Sequence, residues 1–191
     1  GKNKKEVKEN LDNIEKKIES ILGKYIFSRE GLSIEEEVGR LLFKNNTTIS
    51  LAESCTGGLV GHRLTEVPGS SNYFERGVVV YSNQSKSDLL GIPPTIIKKY
   101  GAVSKQTAEK MALNIKKIAN TTLGLAMTGI AGPTGGTAKK PVGTVYISLA
   151  TPYGTKTKKF LFPGDRKVIK ELTAYTALDL VRRYLLNKSN N

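Results

Sequence analysis

Apolar residues along the chain recur with two different periods. Between residues 4 and 22, Val7, Leu11, Ile14, Ile18, Ile21 and Leu22 fall at helical spacing with Lys and Glu between them. That predicts an amphipathic helix with one narrow apolar stripe, to be covered by the body of the protein or by a second copy. A second helix starts after Ser33, with Glu36 three residues on as a capping box, and would bury Ile34, Val38, Leu41 and Leu42. Thr48 to Ala52 reads as a short buried strand that runs into Glu53-Ser54-Cys55-Thr56-Gly57-Gly58. Leu59, Val60, Leu64 and Val67 then fit a helix ended by Pro68-Gly69. Gly77 to Tyr81 reads as a strand apolar enough to be buried on both faces. Short helices follow over Gln84–Leu90 and from Pro93-Pro94 to Lys99. Ser104 caps a longer helix, Lys105 to about Ala119, with Ala108, Met111, Ala112, Ile115 and Ile118 on one face. Leu123–Thr128 is a further strand, and Gly143–Thr151 with Thr155–Phe162 flank Pro152-Tyr153-Gly154 as an antiparallel hairpin. Asp165 caps a last helix that would bury Val168, Ile169, Leu172, Leu180, Val181, Tyr184 and Leu185. The expected fold is α/β: a layered α/β/α domain with a mixed, mostly parallel sheet and one antiparallel hairpin, preceded by a helical extension.

Composition narrows the class. At 191 residues, 38% hydrophobic and 25% charged, the chain suits one substantial core. No apolar run approaches the roughly 20 residues of a membrane span, and the single cysteine fits a reducing cytoplasm. One Cys and one His argue against a thiolate or imidazole metal site, so neither metal nor cofactor is expected. The net charge of +13 is uneven: residues 1–50 carry 10 basic and 9 acidic side chains, whereas residues 137–191 carry 11 and 3. Such a field attracts any anion, nucleotide or nucleic acid, or serves only solubility.

The stretch from Leu51 to Gly58 holds the chemistry. A strand feeding a helix through a small, glycine-containing turn aims free N–H groups at one point, which suits an anion or a developing oxyanion. Ser54 and Cys55 stand there as possible nucleophiles, although hydroxyls at such junctions also serve simply as helix caps. His62 lies seven or eight residues further on, two helical turns or roughly 10–12 Å away, too far to act as a base for either. A buried lysine can replace histidine when desolvation lowers its pKa, but spacing alone does not choose among thirty basic residues. The loop Thr128–Thr137 packs four glycines and three threonines into ten residues. It matches neither a P-loop nor a Rossmann fingerprint, yet a strand ends directly into it, as at many ligand sites.

These same stretches carry a resemblance. A-E-S-C-T-G-G (52–58), V-P-G-S-S-x-Y-F-x-x-G-V-V-x-Y-S-N (67–83), G-A-V-S (101–104), T-G-I-A-G-P-x-G-G-T (128–137) and K-P-V-G-T-V (140–145) resemble the CinA C-terminal family. That family, of competence/damage-inducible proteins, includes stand-alone nicotinamide mononucleotide deamidases. The resemblance implies metal-independent hydrolysis of this pyridine nucleotide to nicotinate mononucleotide and ammonia. In it Ser54 matches the nucleophile, Lys86 and Tyr81 its basic partners, and Thr128 a substrate-contacting position. N–H groups at Thr56, Gly57 and Gly58 would hold the oxyanion, Gly129, Gly132 and Gly135 would embrace the nucleotide, and Arg166 would meet its phosphate. Residues 25–42 also resemble the joint preceding this domain in two-domain relatives. Residues 1–32 are accordingly expected to be a helical extension or linker from a longer protein, with 33–191 the amidohydrolase-like domain. A molybdopterin-binding-like domain, linked in the family to ADP-ribose pyrophosphatase activity, would precede them. His62 and the lysine-rich C-terminal third depart from the family pattern. The expected state is a cytoplasmic homodimer. The competing expectations are a pyridine-nucleotide sensor without turnover, and a basic nucleic-acid-binding module, for which no helix-turn-helix, zinc or stacking signature is present.

Overall fold

The computed structural model describes residues 3–188. Residues 1, 2 and 189–191 of the two expected segments lie outside that range. Five strands, β1 (Ile49–Glu53), β2 (Phe74–Val79), β3 (Leu123–Gly129), β4 (Thr144–Thr151) and β5 (Gly154–Leu161), form one sheet in the order β2-β1-β3-β4-β5. β1 pairs in parallel with both β2 and β3, while β3, β4 and β5 pair antiparallel. The expected mixed sheet with one hairpin is therefore present.

Side-chain size on the two faces of the sheet explains how helices cover it. Successive residues of a strand point to opposite faces. One face carries Ile49, Leu51, Leu123, Leu125, Met127 and Ile147, all buried with α2 (Ile34–Lys44), α3 (Leu59–Glu66) and α7 (Arg166–Lys188). The other presents Ser50, Ala52, Gly124, Ala126, Ser148 and Ala150. So flat a surface admits α6 (Lys105–Ala119) very close: a Cβ on Gly124 would stand 2.2 Å from the Ala112 carbonyl oxygen. α4 (Asn83–Leu90) and α5 (Pro94–Tyr100) complete that layer, with Leu90, Ile92 and Ile97 meeting Met111 and Ile115.

Local signals set the helix ends where expected. Ser33 and Glu36 form the reciprocal capping box of α2, and Ser104 caps α6 through the Thr107 amide. Three expectations are corrected. β2 starts at Phe74 and ends at Val79, and it is not buried on both faces, because it lies at the sheet edge with only β1 beside it. Val168 and Ile118 are exposed, each one step off the stripe its helix buries. The stripe of α1 (Lys4–Leu22) does not pack on the body, and no residue of this helix is buried. Arg29 ties the end of α1 to the following segment through Glu15 and Glu19. No described helix is long and apolar enough to cross a membrane.

Candidate active site

At the end of β1 the alternation of side chains sends Glu53 and Ser54 to opposite faces. Glu53 turns toward α3. Its carboxylate is 2% exposed and accepts the amides of Gly58 (3.0 Å), Val60 (3.2 Å) and Gly61 (2.8 Å). The Gly57 amide donates to the Ser54 carbonyl at 3.1 Å. Gly57 and Gly58 take φ of +65° and +98°, left-handed values that favour glycine and let the chain double back into α3. The structure thus corrects the oxyanion expectation: the amides of Gly57 and Gly58 are already engaged, and the helix N-terminus is filled from within by Glu53. Thr56 is fully buried, with its hydroxyl unpartnered, and none of these three residues lines the cavity described below.

Ser54 turns toward the α4–α6 layer. Its amide extends the β1–β3 pairing by one residue, to the Met127 carbonyl at 3.1 Å. Lys86 comes to it from α4, whose start is fixed by the Ser82 hydroxyl accepting the Ser85 amide. The lysine is 1% exposed, and its Nζ stands 3.1 Å from Ser54 Oγ. Nζ also donates to the carbonyls of Val80 (2.7 Å), Tyr81 (3.3 Å) and Ser82 (3.5 Å). Burial pushes the Lys86 pKa below the usual 10.5, because the ammonium loses its water. A Cys55 thiolate would oppose this, but burial pushes that thiol up to about 12, so at neutral pH it carries no charge. Of the two candidate nucleophiles, Cys55 is thus held as an inert thiol.

Ser54, Lys86, Tyr81, Thr128 and Arg166 meet at one cavity of about 330 Å³, whose far wall is the glycine loop after β3. Gly129, Gly132 and Gly135 all line it. Gly132 and Gly135 take φ of +77° and +86°, whereas Gly129 is required by packing, since a Cβ there would stand 2.6 Å from Val145. The Thr128 hydroxyl donates to the Ala102 carbonyl at 3.0 Å. Arg166, at the start of α7, bridges the mouth: it donates to the Gly132 carbonyl at 3.0 Å and to the Tyr81 hydroxyl at 2.8 Å. Tyr81 is 60% exposed, and its hydroxyl is engaged with Arg166; only its backbone carbonyl contacts Lys86. Among the described residues no carboxylate lines the cavity, so the guanidinium leaves it receptive to an anion. Other hollows, of about 360, 400, 410 and 550 Å³, are larger, but none brings a serine or cysteine within hydrogen-bond distance of a lysine or histidine among the described residues. Among the described residues no group of three or more His, Cys, Asp and Glu is arranged to hold a metal ion.

Sequence reasoning brought together the serine, lysine, threonine, arginine and glycine loop. It missed the capping role of Glu53 and the wall formed by Ala102 and Val103. Both lie in quoted motifs, A-E-S-C-T-G-G and G-A-V-S, but a buried carboxylate's partners are visible only once the turn is folded.

The model of the CinA C-terminal domain matches residues 32–185. A CinA-like protein of Koribacter versatilis is 50% identical over 176 residues, which is 92% of this chain and 42% of that protein. The chain spans less than half the length of the curated relatives it matches. The crystal structure of a competence/damage inducible protein from Agrobacterium tumefaciens superposes with a TM-score of 0.74 at 37% identity, covering 78% of this chain and 94% of that one. A competence-damaged protein (CinA) superfamily structure from Klebsiella pneumoniae gives 0.78 at 26% identity, covering 81% and 96%.

Proposed function

The chain belongs to the CinA C-terminal domain family, and from that premise we propose that it is an amidohydrolase converting nicotinamide mononucleotide to nicotinate mononucleotide and ammonia. The observation that carries this reading is the 3.1 Å contact between Ser54 Oγ and the fully buried Lys86 Nζ, at the floor of a cavity with a cationic mouth. As a neutral amine, Lys86 accepts the Ser54 proton while Oγ attacks the carboxamide carbon. The C–N bond then breaks and Lys86 returns the proton to the departing ammonia. Water attacks the resulting ester, giving its proton to Lys86; Lys86 returns that proton to Ser54 Oγ as the C–O bond breaks, and the nicotinate acid leaves and ionises. Arg166 receives the phosphate, and a phosphate that takes this guanidinium frees the Tyr81 hydroxyl it now holds. A cytoplasmic setting suits the single free cysteine.

The test is ammonia release from nicotinamide mononucleotide by wild type and by Ser54→Ala. Release by wild type alone supports the serine mechanism, because the variant loses one oxygen from an otherwise intact site. Release by both removes Ser54 from the chemistry. Binding of the nucleotide without release by either leaves a sensor.

A further inference from the structure

The connection between α5 and α6 contributes Ala102 and Val103 to the cavity lining, and its carbonyls are held in an unusual way. All four consecutive carbonyls are taken by side chains. Gly101 O accepts from the hydroxyls of Ser104 and Thr107, both at 2.8 Å, and Ala102 O accepts from Thr128 at 3.0 Å. The other two, Tyr100 O (3.0 Å) and Val103 O (2.6 Å), accept from a single group, the ammonium of Lys140. Lys140 comes from the far end of the glycine loop, where a paired turn with Thr137 fixes its backbone. It is half-buried, while residues 133–139 before it are exposed. Gly101 takes φ of +86°, and a Cβ there would stand 3.3 Å from Lys140 Nζ.

We propose that Lys140 is a positioning residue: a strut that sets the distance between the Ala102–Val103 wall and the glycine loop, and so the width of the slot in which the substrate lies. The glycine loop needs such a tie. Ala131 packs into the core and Gly132 against Val142, but beyond the Ile130–Thr144 and Ile130–Gly143 pairs at its base the loop's hydrogen bonds to other segments come from Arg166 at Gly132 and from Lys140 at its end. Lys140 touches neither Ser54 nor Lys86, which are anchored on β1 and α4, so it acts on where the nucleotide sits rather than on the proton transfer. An ammonium donating to two carbonyls also explains why this lysine of the basic C-terminal third is not simply a solvated charge. The inference rests on the amidohydrolase reading for its kinetic consequence, but the strut itself does not.

Two measurements on Lys140→Met, which keeps the length and removes the donors, separate these. In hydrogen exchange followed by mass spectrometry, segments 100–104 and 130–140 should both exchange faster than in wild type while β1 and β3 are unchanged. With nicotinamide mononucleotide as substrate, KM should rise about tenfold while kcat falls by a smaller factor, and Lys140→Arg should recover part of the loss because a guanidinium can reach both carbonyls. Unchanged exchange in both segments overturns the strut, whether or not the nucleotide is turned over. Faster exchange with unchanged KM overturns its role in positioning. A wild type that releases no ammonia defeats the amidohydrolase reading and leaves the exchange result to decide the strut alone.

Discussion

As the proposed base, Lys86 needs a chemistry its residue type does not ordinarily have. An ammonium has three hydrogens and no acceptor, whereas a neutral amine has two hydrogens and a lone pair. In the neutral form the two nearer carbonyls, of Val80 and Tyr81, take the two hydrogens and the Ser82 carbonyl at 3.5 Å is the partner given up, which leaves the lone pair for the Ser54 hydroxyl, the one partner able to donate. Because burial lowers the Lys86 pKa, the amine is deprotonated at a lower pH than an ordinary lysine would be. A general base works in its deprotonated form, so kcat/KM should climb as pH rises through that value, with the half-rise below 10.5. A pH–rate profile checks this, and a half-rise at or above 10.5 would remove Lys86 as the base. Lys86→Met should cost about 10²–10⁴ in kcat/KM at every pH. Little of this was legible in the residues by themselves. Spacing left Lys86 among thirty basic side chains, and only the motif resemblance singled it out, because desolvation is a property of the folded surroundings. The oxyanion donors illustrate the reverse. The glycines after Ser54 advertised free amides, but the Glu53 carboxylate takes that of Gly58 and the Ser54 carbonyl takes that of Gly57.

Among the elements, what the sequence disclosed was whatever a short window controls. The capping box of α2, the Ser104 cap of α6 and the β4–β5 hairpin depend on neighbours within a few residues, and each stands where expected. The edge position of β2 does not, since it depends on which strand lies beside it. The apolar stripe of α1 and the small-residue face of β3 mark the two extremes of what an apolar residue contributes. Leu11 is 60% exposed on a helix that buries nothing, whereas Gly124 lies under the backbone of α6. Thermal melts of Leu11→Lys and Gly124→Ala should therefore diverge. The first should shift stability by less than about 0.5 kcal/mol, while the second, a single added methyl, should cost about 3 kcal/mol or more by forcing α6 off the sheet. Equal effects would mean that α1 is held by contacts absent from this chain's fold or that α6 has room to move.

On the scale of the whole molecule, the site lies where the strand order reverses. The chain passes from β1 through α3 to β2 on one side, then through α4, α5 and α6 to β3 on the other, so the carboxyl ends of β1 and β3 diverge around a crevice. The alternation of strands and helices was readable, as was the glycine loop at the end of β3, but the order of the strands was not. Less readable was that α7 closes the design from a distance: Ile169, Ala177, Leu178 and Val181 fill the core between α2, α3 and the sheet, while Arg166 at the head of the same helix reaches across to Tyr81. The turn between β4 and β5, ahead of this returning segment, is accessible, with Tyr153 84% exposed. The protein can be cut there to ask whether its two parts reassemble. Cut at Tyr153, it becomes a body that holds the serine and its base and a 39-residue tail, residues 153–191, that holds the arginine, a β-strand and the plug of the core. Neither piece should release ammonia by itself, and mixing them should restore release along a saturating curve in the tail's concentration. A body active without the tail would show that the last helix fills the core but takes no part in catalysis.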